Sequence, residues 1–162
     1  MDSDELRELY ANLLAKSMNK NTKSAVHPAF VEIIKQMSPN DAAYFRLLTS
    51  TKIKMIADIK GYTQCDEIYD FIKRNANFFS DSFTEDLINI SIDNLSRLGL
   101  IEISSQLSGV DLPIQYESLM KRFQEEYNVS QYPQYKRIDM TYKSINITSL
   151  GALFNSVCVE EL

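Results

Sequence analysis

The chain has 162 residues, with 17 Lys and Arg against 22 Asp and Glu and a formal net charge of −5. With 44% hydrophobic residues, 24% charged residues and only four Gly and four Pro, it is too apolar for a disordered chain and too charged for a membrane protein. A chain of this length buries roughly two-thirds of its unfolded surface, so it needs neither disulfides nor a metal to hold a core.

Residues 2–19 predict a helix, because Leu6, Leu9, Tyr10, Leu13, Leu14 and Met18 recur at the three/four spacing of one apolar stripe. Glu5 and Glu8 near its start and Lys16 and Lys20 near its end suit the helix dipole. The polar run 19–24 reads as a loop. His27-Pro28 opens a second helix with Phe30, Ile33, Ile34 and Met37 on its stripe. Ser38-Pro39-Asn40-Asp41 restarts the chain as a third helix: a capping Ser, a Pro at the next position and an acid in the first turn.

Ile53, Met55, Ala57 and Ile59 alternate with polar residues and predict a half-buried strand ending at Gly61. Ile68, Phe71 and Ile72 suggest a fourth helix over 64–74, and a fifth runs over about 84–98 to a capping Gly99. Leu100, Ile101 and Ile103 make a short strand, 104–113 a loop, and 114–127 a sixth helix. Ile138, Met140 and Tyr142 alternate as a strand, but Ile145 and Ile147 fall on the opposite parity, so a bulge or tight turn near Lys143-Ser144 is expected. Thr148 caps a final helix. The expected fold class is α+β and mostly helical, a single domain over 1–162: a winged-helix-like core at 38–158 with a small antiparallel sheet, a helical insertion in the wing, and an extra N-terminal helical pair at 1–37.

A winged helix raises the question of DNA binding. Residues 31–60 carry five basic and three acidic groups, and 61–100 carry three and seven, so no basic stripe runs along the chain. The candidate recognition helix bears Glu85, Asp86 and Asp93 against Arg97 alone, with Asn89 and Asn94 left to read bases. Lys136, Arg137 and Lys143 form the best local basic cluster for nucleic-acid contacts. Nucleic acid is therefore an unlikely partner on charge grounds, and a DNA-binding regulator is the alternative reading.

Catalytic constellations are missing from the sequence. His27 is the sole histidine and, placed before Pro at a helix entrance, reads as a cap. There is no CxxC, no His pair, no GxGxxG and no GxxxxGK[ST]. The pairs Glu125-Glu126 and Glu160-Glu161 read as solvated faces. No catalytic residue, metal ligand or cofactor is assigned. Cys65 and Cys158 read as reduced, buried thiols of a cytoplasmic protein. No apolar run is long enough for a membrane span, and the acidic start is unlike a secretory signal.

Two blocks, residues 5–18 and 27–39, closely resemble the conserved block of the abortive-infection alpha (Abi-alpha) family, a prokaryotic family first catalogued as a domain of unknown function. Residues 93–101 and Thr148-x-x-Gly151-x-x-Phe154-x-x-x-Cys158 are similar to its C-terminal half. The resemblance implies a phage-resistance role in which an infected cell stops growing or dies. It brings no catalytic residues; its polar positions here are Arg7, Asn12, His27, Asn94 and Arg97, and Asn19 is a further candidate for a contact role. Family members usually carry a further region upstream of the Asp-Glu-Leu-Arg block, so a trimmed or short member is expected. Together these readings predict a non-enzymatic protein-interaction domain whose partner is another protein or a second copy of the chain.

Overall fold

The computed structural model describes residues 4–63, 68–105 and 114–160. Helix α1 spans Asp4–Met18, with Asp4 and Glu5 in its first turn and Lys16 in its last. Only part of its apolar stripe is covered. Leu9 and Leu13 are buried, whereas Leu14 and Met18 are 62% and 77% exposed, and Lys16 takes a place on the buried face. After a 3-10 turn at Lys23–Ala25, α2 (Ala29–Lys35) buries Phe30, Ile33 and Ile34. Helix α3 (Pro39–Ser50) starts on the expected capping box. The Ser38 hydroxyl accepts from the Asp41 amide at 3.1 Å, and the Asp41 carboxylate accepts from the Ser38 amide at 2.7 Å, an arrangement worth about 1 kcal/mol to a helix start.

Strand β1 (Met55–Tyr62) forms where the alternation predicts one, but it runs through Gly61 to Tyr62, and Met55, Ile56 and Ala57 are all buried, so burial alternates only from Ala57 onward. The next element departs from expectation: Tyr69–Ala76 is a strand, β2, where residues 64–74 predicted a helix. Residues 64–67 of that span lie outside the described residues. Ile68, Phe71 and Ile72 fit a helical stripe, but Tyr69-Asp70-Phe71-Ile72 equally fits a period of two, and antiparallel pairing with β1 decides between them. That ladder is irregular between Ala57 and Lys60, and near it Asn75 adopts a left-handed φ of 48°.

Helix α4 (Glu85–Arg97) ends as the sequence predicts, with Gly99 at φ 74°, a conformation that costs a glycine least. It is followed by β3 (Ile101–Ser104), α5 (Ile114–Glu126) and β4 (Arg137–Ile147). The loop expected at 104–113 falls largely outside the described residues. The expected bulge at Lys143-Ser144 does not occur, because β4 pairs with β1 in unbroken register from Arg137 to Ser144. The parity change reflects two uses of one strand: Ile138, Met140 and Tyr142 pack towards a core cluster, while Ile145 is buried on the other face. Helix α6 (Ser149–Phe154) is capped by the Thr148 side chain and continues into a π-helical turn, Asn155–Val159.

The sheet order is β2-β1-β4-β3. Among the described residues the fold is therefore α+β, with six α-helices and a four-stranded sheet. The middle helix that a winged helix-turn-helix requires is replaced by β2.

The chain forms two compact units: residues 1–52, 86–102 and 146–162 make the first, and residues 53–85 and 103–145 the second. Helices α1 and α2, the N-terminal pair at 1–37, belong to the first unit with α3 and α6. Its core centres on Phe154, fully buried, with its ring edge-on to Phe30 at 5.3 Å and to Phe45 at 5.6 Å. In the second unit, Phe123 and Tyr127 of α5 and its following turn cluster with Met55, Ala57, Ile59 and Ala76. Phe78 packs on Phe123 at a ring separation of 4.5 Å.

Candidate functional site

In the first unit, α1, the 26–28 connection and α2 leave an apolar groove of about 350 Å³. Its lining includes Tyr10, Leu13, Leu14, Val26, Pro28 and Val31. The Tyr10 hydroxyl donates to the Val31 carbonyl at 3.4 Å and ties the two helices together. Leu14 and Val31 remain 62% and 40% exposed, and Met18 lies one turn beyond Leu14 on α1. Apolar side chains this exposed and adjacent to a groove mark a surface that gains from being covered. The spacing of Tyr10, Leu14 and Met18 carries the signal in the sequence, but the same spacing also describes a core stripe, which is how it reads without the fold.

His27 sits at the groove's edge. Its Nδ1 accepts from the Ala29 amide at 3.1 Å, and its ring lies 5.8 Å from Phe30, so it closes the start of α2. Asn12, on α1, donates to the Cys158 carbonyl at 3.0 Å. Lys16 donates to the carbonyls of Ser156 and, at 2.6 Å, Glu160. These two side chains answer carbonyls that the π-helical turn leaves without helical partners. Arg7 pairs with Asp4 on the exposed side of α1, and the Asn19 side chain accepts from the Asn21 amide.

Asn94 and Arg97 are brought together with Asp41 and Gln36. Asn94 donates to Asp41 at 2.8 Å and to the Gln36 carbonyl at 3.0 Å. Arg97 donates to the Asn94 amide oxygen at 2.7 Å and to the Gln36 side chain at 2.9 Å. Asp41 is 2% exposed, so this network seats a buried carboxylate that also caps α3. Asn94 is therefore committed to the Asp41 carboxylate and the Gln36 carbonyl and is not free to read a base.

The basic cluster on β4 is similarly engaged. Lys143 bonds Asp58 and Asn75, each at 2.8 Å, and Arg137 pairs with Asp139 at 2.6 Å while stacking over Tyr62. Lys136 is exposed, and its backbone amide donates to the Tyr62 carbonyl.

Among the described residues, no group of three or more His, Cys, Asp or Glu is placed to hold a metal ion. Likewise no described helix is long and apolar enough to cross a membrane. Cys158 is free and fully buried, and burial pushes its thiol up to about 12, against a smaller opposing pull from Lys16. Cys65 lies outside the described residues. The buried thiol predicts slow chemistry. After iodoacetamide treatment at about pH 8, below the ordinary thiol value, peptide mapping should find Cys158 unmodified in the folded chain and alkylated in urea. Because the folded thiol titrates above the unfolded one, its contribution to stability is held below the unfolded value near 9 and lost as pH rises towards about 12.

These features place the chain among small α+β proteins with one mainly helical unit and one sheet-and-helix unit. It belongs to the abortive infection alpha family, whose model matches residues 1–158. No curated protein matches the sequence significantly. A solved structure of an uncharacterized protein from the marine bacterium Alcanivorax borkumensis SK2 is similar at 14% identity, over 81% of this chain and 92% of that one, with a TM-score of 0.43. A likeness that distant carries no functional argument.

Proposed function

We propose that this abortive-infection protein acts in phage defence by binding, without catalysing a reaction, and that the α1/α2 groove seats an apolar helix of a protein partner. The groove carries the reading. Tyr10, Leu14 and Met18 repeat every four residues along α1, and a stripe of that period spans about 12 Å, matching the anchors of a helix laid in a groove. Val31 adds a second exposed wall. Support for a non-catalytic role comes from how the reactive groups are used: the His27 nitrogen is occupied at a helix start, and the Cys158 thiol is buried. Duplex DNA is the weaker reading, since Asn94, Arg137 and Lys143 are engaged within the chain.

The test is the double substitution Leu14→Asp and Val31→Asp. Both residues are exposed, so thermal unfolding should shift by less than about 1 kcal/mol. In cells carrying the full-length gene, phage plating should return to the level without the gene. Sedimentation of the purified chain tells whether the occupant is a second copy. Protection that survives the double substitution rejects the groove as the working surface.

A further inference from the structure

The second unit presents a sheet face that the groove reading leaves unused. Strand pairing sets its composition. Across β2, β1 and β4, Tyr69 lies opposite Tyr62, which lies opposite Arg137; one row on, Phe71 lies opposite Lys60, which lies opposite Asp139. The side chains of Met55, Ala57 and Ile59 point the other way, into the α5 cluster. Tyr69 and Phe71 are 40% and 37% exposed.

Rings and cations interleave on this face. Tyr62 and Tyr69 have ring centroids 5.6 Å apart, and Tyr69 meets Phe71 at 5.3 Å. Lys60 Nζ sits 4.5 Å from the Tyr69 centroid, and the guanidinium carbons of Arg74 and Arg137 lie 4.0 Å from Phe71 and 4.1 Å from Tyr62. Among the described residues, Asp139 is answered by Arg137, Asp58 by Lys143, Asp70 by the Tyr135 hydroxyl and Glu85 by the Arg74 backbone amide. In a chain of net charge −5, a face where the positive charge lies on the rings is a local inversion of sign.

The geometry points to single-stranded RNA as the ligand of this face. The exposed rings of Tyr69 and Phe71 on β2, beside the half-buried Tyr62 on β1, offer stacking platforms for unpaired bases, whose π-faces accept any ring of this kind. Lys60 and Arg74 are long enough to swing from the rings to phosphates when a base takes their place, while Arg137 stays with Asp139. A duplex keeps its bases stacked on one another and cannot use the rings, so the net negative charge that disfavours a duplex does not bar stacking of single-stranded bases here. RNA is favoured over DNA because Asp139 stands in the Lys60 row: a carboxylate repels phosphate but accepts a hydrogen bond from a 2′-hydroxyl, which DNA lacks.

Fluorescence anisotropy of the full chain with a labelled oligouridine of about 12 nucleotides tests this directly. Saturable binding at about 50 mM salt is expected, with a log–log salt slope of about −1.4, since two cations each contribute about −0.7 on a single strand. The DNA strand of matching sequence and an RNA duplex should both bind more weakly. Replacing Tyr69 and Phe71 together by Ala should weaken binding at least about tenfold, whereas Tyr69→Phe with Phe71→Tyr should retain it. Lys60→Gln should flatten the slope by about 0.7. Circular dichroism of each variant separates loss of binding from loss of fold. Absence of saturable binding, binding untouched by ring removal, or equal affinity for the DNA strand would each overturn the assignment.

Discussion

Replacing Phe154 by Ala is expected to destabilise the chain by about 4 kcal/mol, within the usual range for emptying a buried aromatic site. The ring is fully buried and meets Phe30 at 89° and Phe45 at 76°, both edge-to-face. Such pairs add roughly 0.5–1.5 kcal/mol beyond the area they bury. Removing the ring therefore opens a cavity and strips two aromatic partners of their edge contact. Phe154→Leu fills most of the volume and should cost about 1–2 kcal/mol. Urea unfolding curves of the two variants measure the difference, and a loss below about 1 kcal/mol for Phe154→Ala would mean that the three rings do not form the centre of this unit.

Gly151→Ala carries the second large effect, and its sign is the informative part. Gly151 lies within α6, where alanine would ordinarily gain about 1 kcal/mol over glycine. A Cβ at this position, however, would sit 2.0 Å from the Leu100 carbonyl oxygen, 2.9 Å from its carbonyl carbon and 3.0 Å from Ile147 Cγ2. The nearest obstacle is backbone, and that backbone is held in place. The Leu100 carbonyl accepts from the Thr148 amide at 3.1 Å, and the Thr148 hydroxyl donates to the Gly99 carbonyl at 2.6 Å. Overpacking against a fixed neighbour should outweigh propensity and leave a net loss of about 2–3 kcal/mol. Thermal unfolding checks it. A stabilised Gly151→Ala would show that α6 stands off from Leu100.

Gly61 contrasts with Gly151. Its added Cβ would meet the Tyr135 ring at 2.6 Å, and a side chain can rotate away where a carbonyl cannot. The same count of close contacts therefore implies a smaller penalty at Gly61, because the cost depends on what must move.

Both glycines belong to segments whose local character was open to inspection, yet their importance was not. Gly99 could be assigned its left-handed cap from sequence order alone, since a glycine following an apolar-periodic helix has a local reason to be there. Gly151 has no such local reason. Its need for a missing side chain comes from Leu100, fifty-one positions earlier in the chain.

Elements whose causes lie within a few residues were legible in the order of the amino acids alone. The Ser38–Asp41 capping box set the start of α3, the apolar stripe set α1, Thr148 set the start of α6, and the alternation of Met55 to Ile59 set β1. Long-range pairing and packing settled the rest. Tyr69 to Ala76 could satisfy a helix or a strand, and the unpaired edge of β1 chose the strand by pairing it from Tyr62 with Tyr69 to Ala57 with Ala76, partners outside any helical turn. The stripe on α1 marked Leu13 and Leu14 as equals, but packing buried one and left the other to the groove. Asn94 and Lys143 looked available for nucleic acid until the fold supplied Asp41 and Asp58 as their partners. Local propensity settles conformations whose alternatives differ within one turn of chain, whereas exposure and pairing depend on which distant surface arrives to cover a residue.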